Sequence, residues 1–260
     1  MACRDRCESS LPTVPVNVSA GAHDFVVALA GNPNTGKSTV FNHLTGLRQH
    51  TGNWPGKTVT RAEGTFRHKG ARFRLVDLPG TYSLLTESAD ERIARDYLLF
   101  DQPDCTVVVC DATVLERNLH LVLQVLQITP RVVLCVNLID EADRKRIALE
   151  ARVLERELGI PVVPTAARKG QGLDHLADHI HEIASGAVVP APNPVRFDAE
   201  LDAAIDRLAG RLREAIPGLT SARWVAMRLL DGDERLEEAL RSGELGARAG
   251  GACKASGGAA

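Results

Sequence analysis

One stretch of the chain has residue types and spacing suited to holding a triphosphate: Gly31-Asn32-Pro33-Asn34-Thr35-Gly36-Lys37-Ser38. In a G-x-x-x-x-G-K-S loop the glycines let successive backbone N–H groups curl around an anion. A helix that starts directly after the loop aims its positive end at the same point. Lys37 would reach the terminal phosphates, and the Ser38 hydroxyl would ligate a magnesium ion bridging them. Asn32, Asn34, Thr35, Gly36 and Thr39 complete the wall of this loop as nucleotide-binding candidates. Three more signals follow in order. Asp77-Leu78-Pro79-Gly80 offers a carboxylate that reaches magnesium through water, and a Gly80 N–H that touches a γ-phosphate only while that phosphate is present. Asn137-Leu138-Ile139-Asp140 offers a carboxylate for the N1–H and 2-amino groups of guanine, a donor pair that adenine lacks. The Asn137 amide can add ring contacts and tie its loop to the phosphate loop. Thr165-Ala166-Ala167-Arg168-Lys169 offers a backbone N–H to the guanine oxygen. Each signal alone is common; four in this order select GTP over ATP.

These residues need elements to position them. Phe25 to Ala30 is an unbroken apolar run suited to a strand buried on both faces, and Thr39 to Leu44 can continue as a helix with Val40, Phe41 and Leu44 inward. Further strands are expected at 59–67, 71–76, 104–110, 131–137 and 161–164, the first two forming a hairpin through Lys69-Gly70. Helical patterns occupy 88–100, 114–127, 141–158 and 173–184. This alternation predicts an α/β fold with a mostly parallel six-stranded sheet covered on both faces. Asp77, Asn137 and Thr165 then fall at carboxyl ends of strands, where such sheets bind ligands. A proline-rich break at 186–194 leads into a helical segment in which Phe197, Leu201, Ile205, Leu208, Leu212 and Ile216 form one apolar stripe. The expected organisation is a leader at 1–22, a nucleotide domain at 23–186, a small all-helical domain at 187–242 and a glycine- and alanine-rich tail at 243–260.

Composition excludes several classes. With a net charge of −2, nothing in the overall balance points to nucleic acid or an anionic membrane surface. No apolar run approaches the roughly 18–20 residues that span a bilayer, and the leader lacks the apolar core of a secretory signal. Cys105, Cys110 and Cys135 fall in expected core strands, as small hydrophobes in a reducing setting. Cys3 and Cys7 lack companion ligands at zinc-site spacing.

The loop GNPNTGKS, the segment Thr51-Gly52-Asn53-Trp54-Pro55-Gly56-Lys57-Thr58-Val59, and the runs DLPGTYSL and NLID resemble the N-terminal GTPase of FeoB, the bacterial ferrous iron transporter family. Ala222 to Asp233, reading ARWVAMRLLDGD, is similar to that family's helical domain. The resemblance implies a Ras-like P-loop GTPase fold. It also implies slow magnesium-dependent GTP hydrolysis, and a helical domain that slows GDP release and couples to a membrane-embedded iron-transport region. Such a chain would sit at the cytoplasmic side of the bacterial inner membrane. Small cytosolic transporter subunits and further copies of the chain would be its other partners, and nucleic acid would not. Residue by residue, Thr58 would join Ser38 on magnesium. Asn34, with the carbonyls of Gly52 and Trp54, would hold a K⁺ that offsets charge on the leaving phosphate. Backbone near Gly56 and Lys57 would position water, because Thr81 stands where Ras-type enzymes carry a glutamine. The catalytic set is therefore Lys37, Thr58, Gly56 and Gly80.

Departures and rivals remain. Leu138 replaces a lysine that commonly lies along the base, and Ala166 replaces a serine that braces the guanine loop. Asn34 also reads as a plain turn residue, and Trp54 as an anchor whose ring need not touch nucleotide. His175, His179 and His181 with Asp178 have transition-metal spacing, though histidines on an exposed helix are more often surface residues. One rival is a free-standing GTPase acting on ribosome or tRNA. Against it, residues 186–245 carry 8 arginines and no lysine beside 11 acidic residues, not a basic module. The other is an interaction switch that scarcely hydrolyses GTP.

Overall fold

The computed structural model describes residues 24–47, 49–54, 59–85 and 88–247. The expected leader, the segment expected to position water through Gly56 and Lys57 and to bring Thr58 to magnesium, and residues 248–260 of the tail lie outside the described residues.

Seven strands form one sheet in the order β2-β3-β4-β1-β5-β6-β7. They are β1 (Phe25–Gly31), β2 (Gln49–Asn53), β3 (Thr60–His68), β4 (Ala71–Asp77), β5 (Cys105–Asp111), β6 (Val132–Asn137) and β7 (Val162–Pro164). Strands β4, β1, β5, β6 and β7 run parallel, while β3 and β2 add an antiparallel edge. The expectation of six strands is corrected by β2. Its sequence QHTGN lacks the apolar alternation that marks a half-buried strand, because it is an exposed edge with little to bury. The β3–β4 hairpin closes through Lys69 and Gly70 at φ 47° and 83°, the positive pair that matches strand twist.

Nine helices are described: α1 (Lys37–Thr45), α2 (Ala89–Asp96), α3 (Leu115–Ile128), α4 (Ile139–Arg144), α5 (Ala151–Leu158), α6 (Leu173–Ala184), α7 (Ala199–Ala215), α8 (Ala222–Leu230) and α9 (Glu234–Arg241). The single helix expected over 141–158 is two. Arg146 turns to φ 59° and the Ile147 N–H reaches back to the Ala142 carbonyl at 2.9 Å, so α4 ends in a Schellman-type turn made without glycine. The helix expected over 88–100 starts where predicted, with the Ser88 hydroxyl accepting from the Glu91 N–H at 3.2 Å. It loosens into a π-helical turn at Tyr97–Asp101.

Two apolar layers flank the sheet. One holds Val40 and Phe41 of α1, Phe66 and Phe73 of the hairpin, and Leu176 and Ile180 of α6. The other runs from Trp54, Ile93 and Tyr97 through Leu121 and Val125 of α3 to Ile205, Trp224 and Leu236 of the three C-terminal helices. The helical segment is therefore packed on one face of the sheet through a shared core, with Trp224 1 % exposed. Cys105, Cys110 and Cys135 are buried in β5 and β6 as expected, and burial pushes the Cys135 thiol up to about 12, so it stays neutral. Among the described residues no helix is long and apolar enough to cross a membrane.

Candidate functional site

Strand register collects the expected residues at one edge. Leu29 of β1 lies beside Asp77, the last residue of β4, and Asp111 at the end of β5 lies beside Asn137, the last residue of β6. Thr165 directly follows β7. The phosphate loop between β1 and α1 is held by close approaches. Gly36 sits at φ 80°, and a Cβ there would lie 2.3 Å from the Asn137 side-chain nitrogen. Asn34 is exposed at φ 66°. The Thr35 hydroxyl donates to the Asn32 carbonyl at 3.0 Å and pins the loop from inside. No side chain caps α1, so the N–H groups of its first turn stay directed at the loop.

Lys37 pairs with Asp77 and donates to the Leu78 carbonyl at 2.7 Å. Burial of Asp77 raises its carboxyl above the usual range, and the Lys37 ammonium only partly offsets this. Asn32 is 2 % exposed, yet neither atom of its side-chain amide has a hydrogen-bond partner among the described residues. An orphaned amide at a phosphate loop is what a site shaped for a ligand leaves behind. The Ser38 hydroxyl on the exposed side of α1 and the Asp77 carboxylate are hard oxygen donors, the set that suits Mg²⁺. Gly80 packs on the phosphate loop: a Cβ on it would lie 3.5 Å from Pro33 Cα, and the Thr81 N–H donates to the Gly31 carbonyl at 3.3 Å.

At the other end Asn137 is 1 % exposed and works as a brace. Its amide nitrogen donates to the Thr35 carbonyl at 3.0 Å. Its oxygen accepts from the Ala167 N–H at 3.0 Å and the Thr165 hydroxyl at 3.2 Å. One side chain thus ties the phosphate loop, β6 and the loop after β7. The expected tie is present, and the amide is spent on it. Leu138 turns at φ 64° to start α4, whose first turn holds Asp140. Asp140 is paired with Lys169 at 3.0 Å, a partner that sequence reading did not assign to it, and that hydrogen bond holds its carboxyl below the usual range. Lys169, four residues past Thr165, was the only available signal. The Ala166 N–H donates to the Gln171 carbonyl at 3.1 Å, so a backbone bridge braces the loop where a serine hydroxyl is missing. The N–H groups of Thr165, Ala166 and Ala167 are all engaged within the protein, leaving a base oxygen to share one of them.

Gly52 lies in β2 opposite Arg61, and Trp54 follows it. The Trp54 ring is 7 % exposed, edge-on to Tyr97 at 5.5 Å, with the Arg61 guanidinium 4.6 Å from its centroid. It anchors the segment before residues 55–58 to the core. The histidine cluster does not assemble. Asp178 pairs with His68 at 2.8 Å and Lys69 at 2.7 Å, and His179 pairs with Glu182 at 3.0 Å. Among the described residues no three His, Cys, Asp or Glu side chains converge on a metal position. A separate apolar cleft of about 280 Å³ lies between the end of α3 and Trp224, sharing no residue with the phosphate loop.

A family model described as ferrous iron transport protein B matches residues 25–180, and one described as FeoB cytosolic helical domain matches residues 197–255. The chain is 37 % identical over 227 residues to an Fe(2+) transport protein A/Fe(2+) transporter FeoB fusion protein of Porphyromonas gingivalis, covering 86 % of the chain and 27 % of the relative. It is 40 % identical over 213 residues to the Fe(2+) transporter FeoB of Escherichia coli K12, covering 80 % and 27 %. The chain thus spans about a quarter of the length of these relatives. Among solved structures it resembles the cytosolic domain of T. maritima FeoB in a GDP form, with TM-score 0.78, 37 % identity, and 87 % of each chain covered. The same domain in a GMPPNP form gives TM-score 0.77 at 38 % identity, covering 85 % of this chain and 86 % of the other.

Proposed function

The chain belongs to the FeoB family, and from that premise we propose that it binds GTP and GDP with Mg²⁺ and hydrolyses GTP slowly. In this reading it regulates ferrous iron passage through a membrane-embedded region of a longer protein, from the cytoplasmic side of the inner membrane. The observation that carries the reading is the Asn137 brace, which holds the phosphate loop and the Asp140 loop in one frame. Asp140 takes the guanine N1–H and 2-amino group once Lys169 yields, and Leu138 packs along the ring. The Ala167 N–H serves the base oxygen while keeping its bond to Asn137. Lys37 moves from Asp77 to the β- and γ-phosphates, and Asn32, Asn34, Gly36 and Thr39 line their cradle. Ser38, Thr58 and Asp77 would hold the magnesium, Asp77 through water; the ion neutralises charge on the phosphates. The Gly80 N–H contacts the γ-phosphate, and backbone around Gly56 orients the attacking water. Asn34, Gly52 and Trp54 would supply oxygen ligands to a K⁺ that stabilises the leaving phosphate.

Calorimetry with Mg²⁺ present tests the base: GDP is expected to bind at least about a hundredfold more tightly than ADP, and equal affinities would overturn the assignment. Phosphate release in K⁺ against Na⁺ tests the cation; equal rates would remove potassium from the account. No observation favours an RNA-directed GTPase. Arg223, Arg228, Arg235 and Arg241 of the C-terminal helices are each paired with carboxylates.

A further inference from the structure

A second charged pocket, of about 520 Å³, lies away from the phosphate loop between α2 and the turn that joins α8 to α9. Four guanidiniums line it, from Arg92, Arg95, Arg228 and Arg235, against two carboxylates, Asp233 and Glu234. Asp233 is already committed, while Glu234 is exposed and makes no ion pair among the described residues. One Asp233 oxygen accepts from Arg228 at 3.2 and 3.0 Å, and the other caps α9 by accepting from the Leu236 N–H at 3.2 Å. Arg235 is engaged by Glu244 at 3.1 Å. Arg95 is left with poor partners: its side chain is 5 % exposed, and its nearest carboxylates are Asp96 at 3.4 Å and the already shared Asp233 at 3.7 Å. Arg92 makes no ion pair among the described residues, and its Nε is buried without a hydrogen-bond partner. A buried guanidinium is stable only when its forked N–H groups meet an anion, and the anion that fits a fork best is a carboxylate or a phosphate.

We propose that this pocket binds a small phosphate-bearing anion, held by Arg92 and Arg95 from α2 with Arg228 and Arg235 on the opposite wall. Its volume exceeds that of a single phosphate and suits a pyrophosphate or a phosphorylated metabolite. An occupant would bridge α2, which follows the loop after Gly80, to the C-terminal helices. The site is independent of the nucleotide reading.

The test titrates pyrophosphate, and separately orthophosphate, by calorimetry into the whole chain and into K37A, R92Q, R92K and R235Q. K37A removes the phosphate loop as a competing site. One equivalent of pyrophosphate is expected to remain bound in K37A, whatever the phosphate loop takes up in addition in the parent. Its affinity falls roughly tenfold in R92Q, less in R92K, which keeps charge without the fork, and less in R235Q at the exposed rim. Pyrophosphate binding well above orthophosphate identifies a phosphorylated molecule as the source; equal binding identifies free phosphate, and both support the site. Should R92Q not fold, R235Q carries the same reading at the rim. Binding that vanishes in K37A and survives in R92Q and R235Q, or no saturable binding of either anion, overturns the proposal. A glutamate-rich peptide that binds where neither anion does also overturns it, by assigning the pocket to an acidic segment.

Discussion

The two ends of the proposed nucleotide site each hold an aspartate against a lysine, and they do so on opposite terms. At the phosphate end Lys37 and Asp77 have side chains only 11 % and 19 % exposed, and burial outweighs the lysine, so the Asp77 carboxyl rises. At the base end Asp140 and Lys169 are 25 % and 62 % exposed, and the lysine outweighs burial, so the Asp140 carboxyl falls. The first pair is costly to break unless both partners find new ones together, as they would with a phosphate and its magnesium. The second is solvated and opens readily. The phosphate end is therefore built to exchange partners as a set, and the base end to yield one at a time.

The largest effect comes from splitting the buried pair. Lys37→Met is expected to lower GDP affinity about a hundredfold, through lost charged hydrogen bonds to phosphate. It also leaves the Asp77 carboxylate buried and unpaired, destabilising the fold by about 2 kcal/mol. Asp77→Asn added to Lys37→Met should restore the melting temperature without restoring affinity. If K37M binds GDP like the parent, the contrast between the two ends has no functional content.

Next is the brace between them. Asn137→Ala removes hydrogen bonds to the Thr35 carbonyl, the Ala167 N–H and the Thr165 hydroxyl, and leaves those groups buried. A loss of about 2–3 kcal/mol in urea unfolding is expected. Asn137→Asp separates the two halves of the brace: it keeps the acceptor toward Ala167 and sets a carboxylate in place of the donor toward the Thr35 carbonyl. Equal stability of both variants and the parent would show that the two ends are not mechanically joined.

Much of this was legible in the sequence, for physical reasons that differ by residue. Gly31, Gly36, Lys37 and Ser38 announce the loop between β1 and α1 because the proposed phosphate cradle permits few alternatives, and β1, β5 and β6 are legible because doubly buried strands must be continuously apolar. Strand β2 was not legible, since QHTGN buries too little to leave a pattern. The break between α4 and α5 was hidden because Arg146 adopts a positive φ that sequence assigns to glycine or asparagine. The Asp140–Lys169 pair was hidden for another reason. It joins the loops after β6 and β7, 29 residues apart, and nothing in local spacing reports a tertiary ion pair. The metal reading of His175 and His179 was lost to the hairpin, whose His68 and Lys69 take Asp178.

The smallest effect is the most discriminating. Lys169→Gln frees Asp140 at an exposed site, so the melting temperature should not move, and GDP should bind at most about threefold more tightly in low salt. The gain should fade as salt screens the pair in the parent. Acid pH gives the sign independently. In the parent Lys169 holds the folded Asp140 carboxyl below its ordinary value of 3.8, so the paired carboxylate is fully present above that value and lost as pH falls through the lower folded one. Removing Lys169 lets the folded value rise. Loss of GDP affinity on acidification should therefore begin at higher pH in K169Q than in the parent. The opposite order would mean that Lys169 reaches the nucleotide itself rather than guarding the aspartate, and the base end would then exchange partners as a set, like the phosphate end.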